Sequence, residues 1–432
     1  MSIDSAVGPP PPWLLVFSAA DPAALTAEAR SAAALLTDGA DPGSVPQTRP
    51  VSAEHDVRRL AVTAADRAGL VEGLSFFADG LASPRYSSGC PDGAATGAAW
   101  CFGGHGSQWP GMGRALLDWA PAAAKVLTEL DSLLPTGVID PLMNAADGEP
   151  GSPATTQPLI FAIQVATAHW LWSMGLRPRA VVGHSLGEVA AAHVAGALSL
   201  ADAARVVSVR SRLLEQTAGG GTMATVSLDR RTVERRCAEI PGTVVVAAHS
   251  APTETVVTGE SEATGALVSA LEAEGVRCRR IRINAASHSP FVDGVLPAMR
   301  AELADLDPAA PRVPWISTVE DEPDGRPVDA TAEYWAQNLR RPVRFTEAVS
   351  ALARRGIRAY VEIGPHPVLI SPIRQTLRAE GVEDPLVIAS GSRATPEPVS
   401  LLRLLGALHC RGLDLPAPLD RRARSEKPDR RA

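Results

Sequence analysis

The residues best equipped for covalent chemistry lie at 180–193, A-V-V-G-H-S-L-G-E-V-A-A-A-H. An apolar run leads into Gly183-His184-Ser185-Leu186-Gly187, and an alanine-rich stretch leads out of it. G-x-S-x-G between a strand and a helix is the spacing of a nucleophile elbow. Its two glycines allow a turn too tight for side chains, and the Ser185 hydroxyl is lifted clear of the fold. The start of the following helix adds unpaired backbone N–H groups and a positive dipole end beside any oxyanion that forms there. Ser185 is therefore the candidate nucleophile.

A serine nucleophile needs a base, and the nine histidines supply several candidates. His184 sits inside the elbow, while His169 and His193 fall on predicted helices, where core or surface roles are the common ones. His288, in N-A-A-S-H-S-P-F (284–291), lies on a loop after a predicted strand, and loops on a rigid scaffold are favoured places for catalytic groups. Spacing alone leaves the choice open.

Arg210 is the second unusual residue. All but two of the 41 basic residues are arginine, the exceptions being Lys125 and Lys427, so a lone arginine carries little meaning. In the predicted helix over 201–215, capped by Ser199, Arg210 nevertheless points along the apolar face of Val206, Val207, Leu213 and Leu214. Arg205 and Arg212 point the opposite way. A guanidinium on an apolar face needs a partner, because burying it unpaired is costly. Two partners fit: a buried acid of the chain, or a substrate carboxylate held by the bidentate fork.

The elements that must position these groups follow from patterning. Strand-like W-L-L-V-F-S (13–18), a helix behind Asp21 and Pro22, the strand L-A-V-T (60–63) and a helix through Leu70, Leu74 and Phe77 form a small α/β unit over 13–95. A glycine-rich stretch separates it from A-A-W-C-F-G-G-H-G-S-Q (98–108), a buried strand ending in a glycine loop. Over 222–284 the order β-α-β-β-α-β predicts a ferredoxin-like subdomain. It interrupts a larger α/β region covering 96–221 and 285–390, which includes the strand Y-V-E-I-G-P (360–365). A helix at 401–410 and a tail form the trailing segment 391–432. Disorder is expected at 1–12 and after about Asp420.

Composition narrows the function classes. A net charge of −7 argues against nucleic acid as a partner. The chain has no apolar run of about 18 residues for a membrane span, and its proline-rich start is unlike a signal peptide. Five scattered cysteines without a C-x-x-C pair fit buried thiols in a reducing cytoplasm. The histidines have no H-E-x-x-H spacing, so no metal is expected.

Taken together, the motifs resemble the malonyl-CoA:acyl-carrier-protein transacylases, in particular the acyltransferase domains of type I polyketide synthases. The resemblance spans about residues 13–415. It rests on seven ordered motifs: G-H-G-S-Q-W-P-G-M-G (104–113), T-Q-P-L-I-F-A (156–162), G-H-S-L-G-E (183–188), V-R-S-R (209–212), A-A-S-H-S (285–289), Y-W-A-Q-N-L-R-R-P-V-R-F (334–345) and E-I-G-P-H-P-V-L (362–369). It implies a hydrolase-like parallel-sheet core with an inserted ferredoxin-like subdomain. Residues 13–95 are similar to the linker between a ketosynthase and an acyltransferase, and the tail to the linker that follows.

By this resemblance Ser185 is acylated and His288 is its general base and acid, oriented by a backbone carbonyl at Asn338. Arg210 grips the free carboxylate of a malonyl-type unit. The oxyanion hole is the backbone N–H of His105 and of Leu186, and His366 is structural. No cofactor is bound; acyl-CoA is the donor and the phosphopantetheine thiol of an acyl carrier protein the acceptor, with a ketosynthase as a further partner through 13–95. Ala285, Ala286 and Ser287 leave room beside C2 of the acyl unit, which favours methylmalonyl or a larger unit, whereas Leu186 is the residue less usual among methylmalonyl relatives. The rival classes are a serine thioesterase or hydrolase, an acyl shuttle between carrier proteins, and a non-catalytic docking module.

Overall fold

The computed structural model describes residues 12–47, 57–91, 97–144, 151–219, 221–281, 286–320 and 328–413. The expectations placed on residues 1–11, on the tail after Asp420 and on Ala285 lie outside them. The chain divides into two compact units, Met1–Gly97 with Ser390–Ala432, and Ala98–Ala389.

In the first unit, the strands Trp13–Ala19, Arg58–Ala64 and Tyr86–Gly89 form an antiparallel sheet in that order. Asp21 and Asp66 cap the helices Pro22–Thr37 and Arg67–Ala78 by accepting the Ala24 and Gly69 N–H groups. These helices bury Leu25, Ala29, Leu36, Leu70 and Leu74 against Leu15, Phe17, Leu60 and Val62. The alternate strand residues Val16 and Ala61 pack with Cys410 of a third helix, Glu397–Cys410. Gly406 permits this approach, since a Cβ there would stand 2.8 Å from that of Ala61. With both faces covered, the strands are buried almost continuously instead of alternating. The described part of the trailing segment thus folds on the leading sheet. Its helix is legible in the sequence; its distant partner is not.

The second unit is built on a five-stranded parallel sheet in the order Trp315–Ile316, Ala180–Gly183, Ala99–Phe102, Ala359–Ile363, Leu386–Ala389. A second, antiparallel sheet orders Val244–Ala251, Glu254–Gly259, Thr222–Val226 and Cys278–Ile281, with helices Arg230–Glu239 and Ser261–Ala273 between strands. That is the ferredoxin-like arrangement, with its own apolar core around Val233, Val257, Leu267 and Leu271. The α/β class and both subdomain types therefore stand as the sequence reads them.

Parallel strands direct their carboxyl ends to one edge, where ligands of such sheets bind. Four loops leave the core sheet there. They begin at Gly103, His184, Ser317 and Gly364, and carry the G-H-G-S-Q motif, the elbow, Thr318 and the G-P-H-P motif. The elbow is packed backbone to backbone. A Cβ on Gly183 would lie 2.2 Å from the Glu188 nitrogen, and one on Gly187 2.0 Å from the Phe102 carbonyl oxygen. Gly183→Ala should therefore destabilise the chain by more than about 3 kcal/mol. Chemical denaturation checks this, and a loss below about 1 kcal/mol would mean that the turn can open.

Candidate active site

The tight turn places Ser185 at φ 55°, a conformation that costs a non-glycine residue about 1–3 kcal/mol and is retained where the surroundings enforce it. Its Oγ lies 2.7 Å from Nε2 of His288. His288 is itself held at φ 60°, on a loop tied by the Ser289 hydroxyl to the Ala286 carbonyl. Its backbone N–H donates to the Leu339 carbonyl at 2.9 Å. The competing histidines are engaged elsewhere. His169 and His193 meet each other through their Nε2 atoms at 3.1 Å, and the His184 ring packs against Phe345.

The carbonyl that orients His288 is not that of Asn338, as the resemblance implied, but that of Arg341, 2.8 Å from Nδ1. The physical reason is the helix end. Asn338 lies within the helix Ala332–Arg340 and its carbonyl points along the axis, while Arg341, the residue after it, is extended (φ −82°, ψ 154°), which turns its carbonyl off the axis toward the ring. A carbonyl only accepts, so Nδ1 carries the proton and Nε2 presents its lone pair to Ser185. Asn338 works through its side chain instead. Its Oδ1 accepts from Arg210 Nε at 3.3 Å, and its Nδ2 donates to the Ser185 carbonyl at 3.2 Å.

Arg210 is 1% exposed, on the inner face of the helix Leu200–Glu215. Its three nitrogens are held by neutral acceptors: Asn338, the Gln157 Oε1 at 2.6 Å, and the Ser185 Oγ at 2.9 Å. Among the described residues no acid forms a salt bridge with it, which removes a direct internal ion pair from the two partners open to the sequence. Burial pushes its pKa down to about 10, which leaves it cationic. A cation this close to the Ser185 oxygen favours the alkoxide, and its fork matches a carboxylate.

The glycine loop is fixed by Gln164, buried, whose amide donates to the Gly103 carbonyl at 2.7 Å. His105 follows, its Nε2 3.2 Å from the Gln108 amide nitrogen. Among the described residues neither the His105 nor the Leu186 backbone N–H has a hydrogen-bond partner, as an oxyanion hole requires. Of the specificity positions, Ala286 and Leu186 are buried and Ser287 is 6% exposed. His366 lies on the loop after Ala359–Ile363, beside Pro365, whose carbonyl accepts from the Trp109 indole at 3.0 Å.

Gln157, Gln164 and Arg341 were missed as site residues. The two glutamines had a signal, since each is an amide on a helix, Pro153–Ser173, that is otherwise apolar over most of its length. The Arg341 carbonyl had none, because a backbone group carries no side-chain identity.

Burial, and secondarily Arg210, pushes the His288 pKa down from 6.5 to about 3. His105 falls to about 4 for the same two reasons. Both rings are neutral across the physiological range. A histidine with a lowered folded pKa contributes stability that is present above 6.5 and is lost as pH falls from 6.5 toward 3. The rate at which a fluorophosphonate labels Ser185 should accordingly stay level from about pH 8 to 5, wherever parallel melts show the chain folded. An inflection at the ordinary imidazole pKa would contradict this burial.

The family model for the acyl transferase domain matches residues 99–415. Among curated relatives, the mycocerosic acid synthase-like polyketide synthase of Mycolicibacterium smegmatis is 41% identical over 359 residues, covering 82% of this chain. The chain spans only 17% of that relative's length. Among solved structures, the acyltransferase domain from module 8 of the salinomycin polyketide synthase is 34% identical with a TM-score of 0.84, covering 93% of this chain and 97% of that one. The acyltransferase domain of SpnD, in complex with 2-(pent-4-yn-1-yl)malonyl, is 28% identical with a TM-score of 0.76, covering 92% of this chain and 96% of that one. A paired serine and histidine beside a buried arginine, on this sheet and with these relatives, leave one assignment: the chain belongs to the acyl transferase domain family and is an acyltransferase domain of the type I polyketide synthase kind.

Proposed function

We propose that the chain loads a malonyl-type extender unit from acyl-CoA onto the phosphopantetheine thiol of an acyl carrier protein, by ping-pong transfer through Ser185. One observation carries this reading: the Arg210 guanidinium, buried among neutral acceptors, is 2.9 Å from the nucleophile oxygen. A carboxylate on the acyl unit would meet that cation while its thioester carbon faces Ser185. His288 Nε2 takes the serine proton as the O–C bond forms. The His105 and Leu186 N–H groups receive the oxyanion, at about 3–4 kcal/mol per donor. The C–S bond then breaks and the proton passes to the departing CoA thiolate. In the second half the carrier thiol attacks the acyl-serine, His288 takes the thiol proton as the C–S bond forms, and the acyl C–O bond breaks as that proton passes from His288 to the Ser185 oxygen. No cofactor enters either half.

A serine thioesterase would place an acid on His288 Nδ1, where the Arg341 carbonyl stands. An acyl shuttle for monocarboxylic chains would leave Arg210 without its ligand. Within malonyl-type units, the small side chains of Ala286 and Ser287 support methylmalonyl or a larger C2 substituent. So does the C2-substituted malonyl group in the SpnD complex. Each methylene is worth about 1–3 kcal/mol, so selection among these units is graded. The kinship with polyketide synthase domains supports a ketosynthase neighbour, and five unpaired cysteines support a cytoplasmic setting.

Intact-protein mass spectrometry with malonyl-, methylmalonyl-, ethylmalonyl- and acetyl-CoA tests the reading. A dicarboxylic adduct should form, be absent in Ser185→Ala, and pass to added carrier protein. Equal loading of acetyl and malonyl units would remove the role given to Arg210, and rapid release of free acid without carrier acylation would favour the hydrolase. Ser287→Phe should shift competition toward malonyl-CoA by roughly tenfold or more. An unchanged ratio would end the argument from pocket size.

A further inference from the structure

Glu188 lies one turn beyond the nucleophile on the helix Gly187–Ala195 and is wholly buried. Its Oε1 accepts the Thr318 backbone N–H at 2.5 Å and lies 2.8 Å from the Thr318 hydroxyl, which also reaches the Gly183 carbonyl at 3.0 Å. Its Oε2 accepts the Tyr334 hydroxyl. The direction of that last bond is fixed by a relay. Ser317 Oγ accepts the Val319 and Glu320 N–H groups, so its own proton goes to Tyr334 at 2.8 Å and the Tyr334 proton goes on to Glu188. Burial pushes Glu188 up to about 7, against the pull of Tyr334, Thr318 and Asn338.

Tyr334 and Asn338 both belong to the helix Ala332–Arg340. The end of that helix supplies both acceptors of the base, Leu339 for the His288 backbone N–H and Arg341 for Nδ1. One buried carboxyl therefore ties the helix that starts at the nucleophile to the helix that holds its base. We infer that Glu188 is a positioning residue, clamping the Ala332–Arg340 helix to the elbow and so setting the reach from Ser185 Oγ to His288 Nε2. A carboxyl suits this role and an amide does not, because each oxygen receives a donor and an amide would turn its NH2 toward one of them. The kinetic consequence rests on the Ser185–His288 transfer proposed above; the geometric one does not.

The test uses the full chain with Glu188→Gln and Tyr334→Phe. The low-field proton resonance of His288 Nδ1–H, assigned by its loss in His288→Ala, is recorded beside Ser185 acylation by a malonyl-type CoA. In Glu188→Gln the resonance should shift or broaden and kcat should fall by about 100-fold, the cost of misplacing reacting groups by about an ångström, while KM stays within about threefold. Tyr334→Phe should move both readouts the same way by less. If Glu188→Gln does not fold, Tyr334→Phe decides by the same measurements. An unmoved resonance with kcat within about twofold overturns the clamp, as does a loss confined to KM. Wild-type chain that forms no acyl-serine would instead count against the transfer reading, and the resonance would still decide the clamp.

Discussion

A guanidinium taken fully out of water constrains everything around it. Arg210 retains its charge although burial lowers its pKa, and no acid pairs with it directly among the described residues. The structure therefore has to surround it with oriented neutral dipoles, and two of them, Asn338 and Ser185, are also committed elsewhere. Gln157 comes from one helix, Asn338 from another, and Ser185 from the elbow. Because Asn338 also bonds the Ser185 carbonyl, the arginine and the nucleophile cannot move independently. Preorganised charge of this kind is what low-dielectric sites use for binding and catalysis.

The parallel sheet is the frame that makes this convergence possible. Ser185 reaches its carboxyl edge on the loop after Ala180–Gly183, and His288, which follows the antiparallel strand Cys278–Ile281, is brought to that edge by the Leu339 and Arg341 carbonyls that hold its N–H and Nδ1. The cost falls on the backbone: both Ser185 and His288 adopt positive φ, and the elbow glycines leave no room for a Cβ. Such strain persists only under a rigid surround. Gln164 holding Gly103, and the Glu362 carboxyl accepting the Val368 and Leu369 N–H groups, are parts of that surround.

Local pattern made the nucleophile and the arginine legible. G-x-S-x-G needs only a strand before it and a helix after it, and the inward aim of Arg210 follows from helical periodicity within one segment. The β-α-β-β-α-β order of the small subdomain is likewise a local record of alternating periodicities. Illegible were the relations between segments. The packing of Glu397–Cys410 on the leading sheet depends on Gly406 meeting Ala61, a contact that neither neighbourhood announces. The misplacement of the His288 acceptor at Asn338 instead of Arg341 has the same origin, since a helix end and a ring must be seen together.

The sequence by itself determined which side chains are equipped for chemistry, because hydroxyl, imidazole and guanidinium identity and their helical or turn spacing are properties of short segments. Only the tertiary structure decided which histidine stands within hydrogen-bond reach of Ser185, which carbonyl accepts from its other ring nitrogen, and that the arginine's nitrogens bond neutral groups. Those are matters of distance between remote segments. The orientation of a backbone carbonyl and the burial of a charge exist only once the helices are packed.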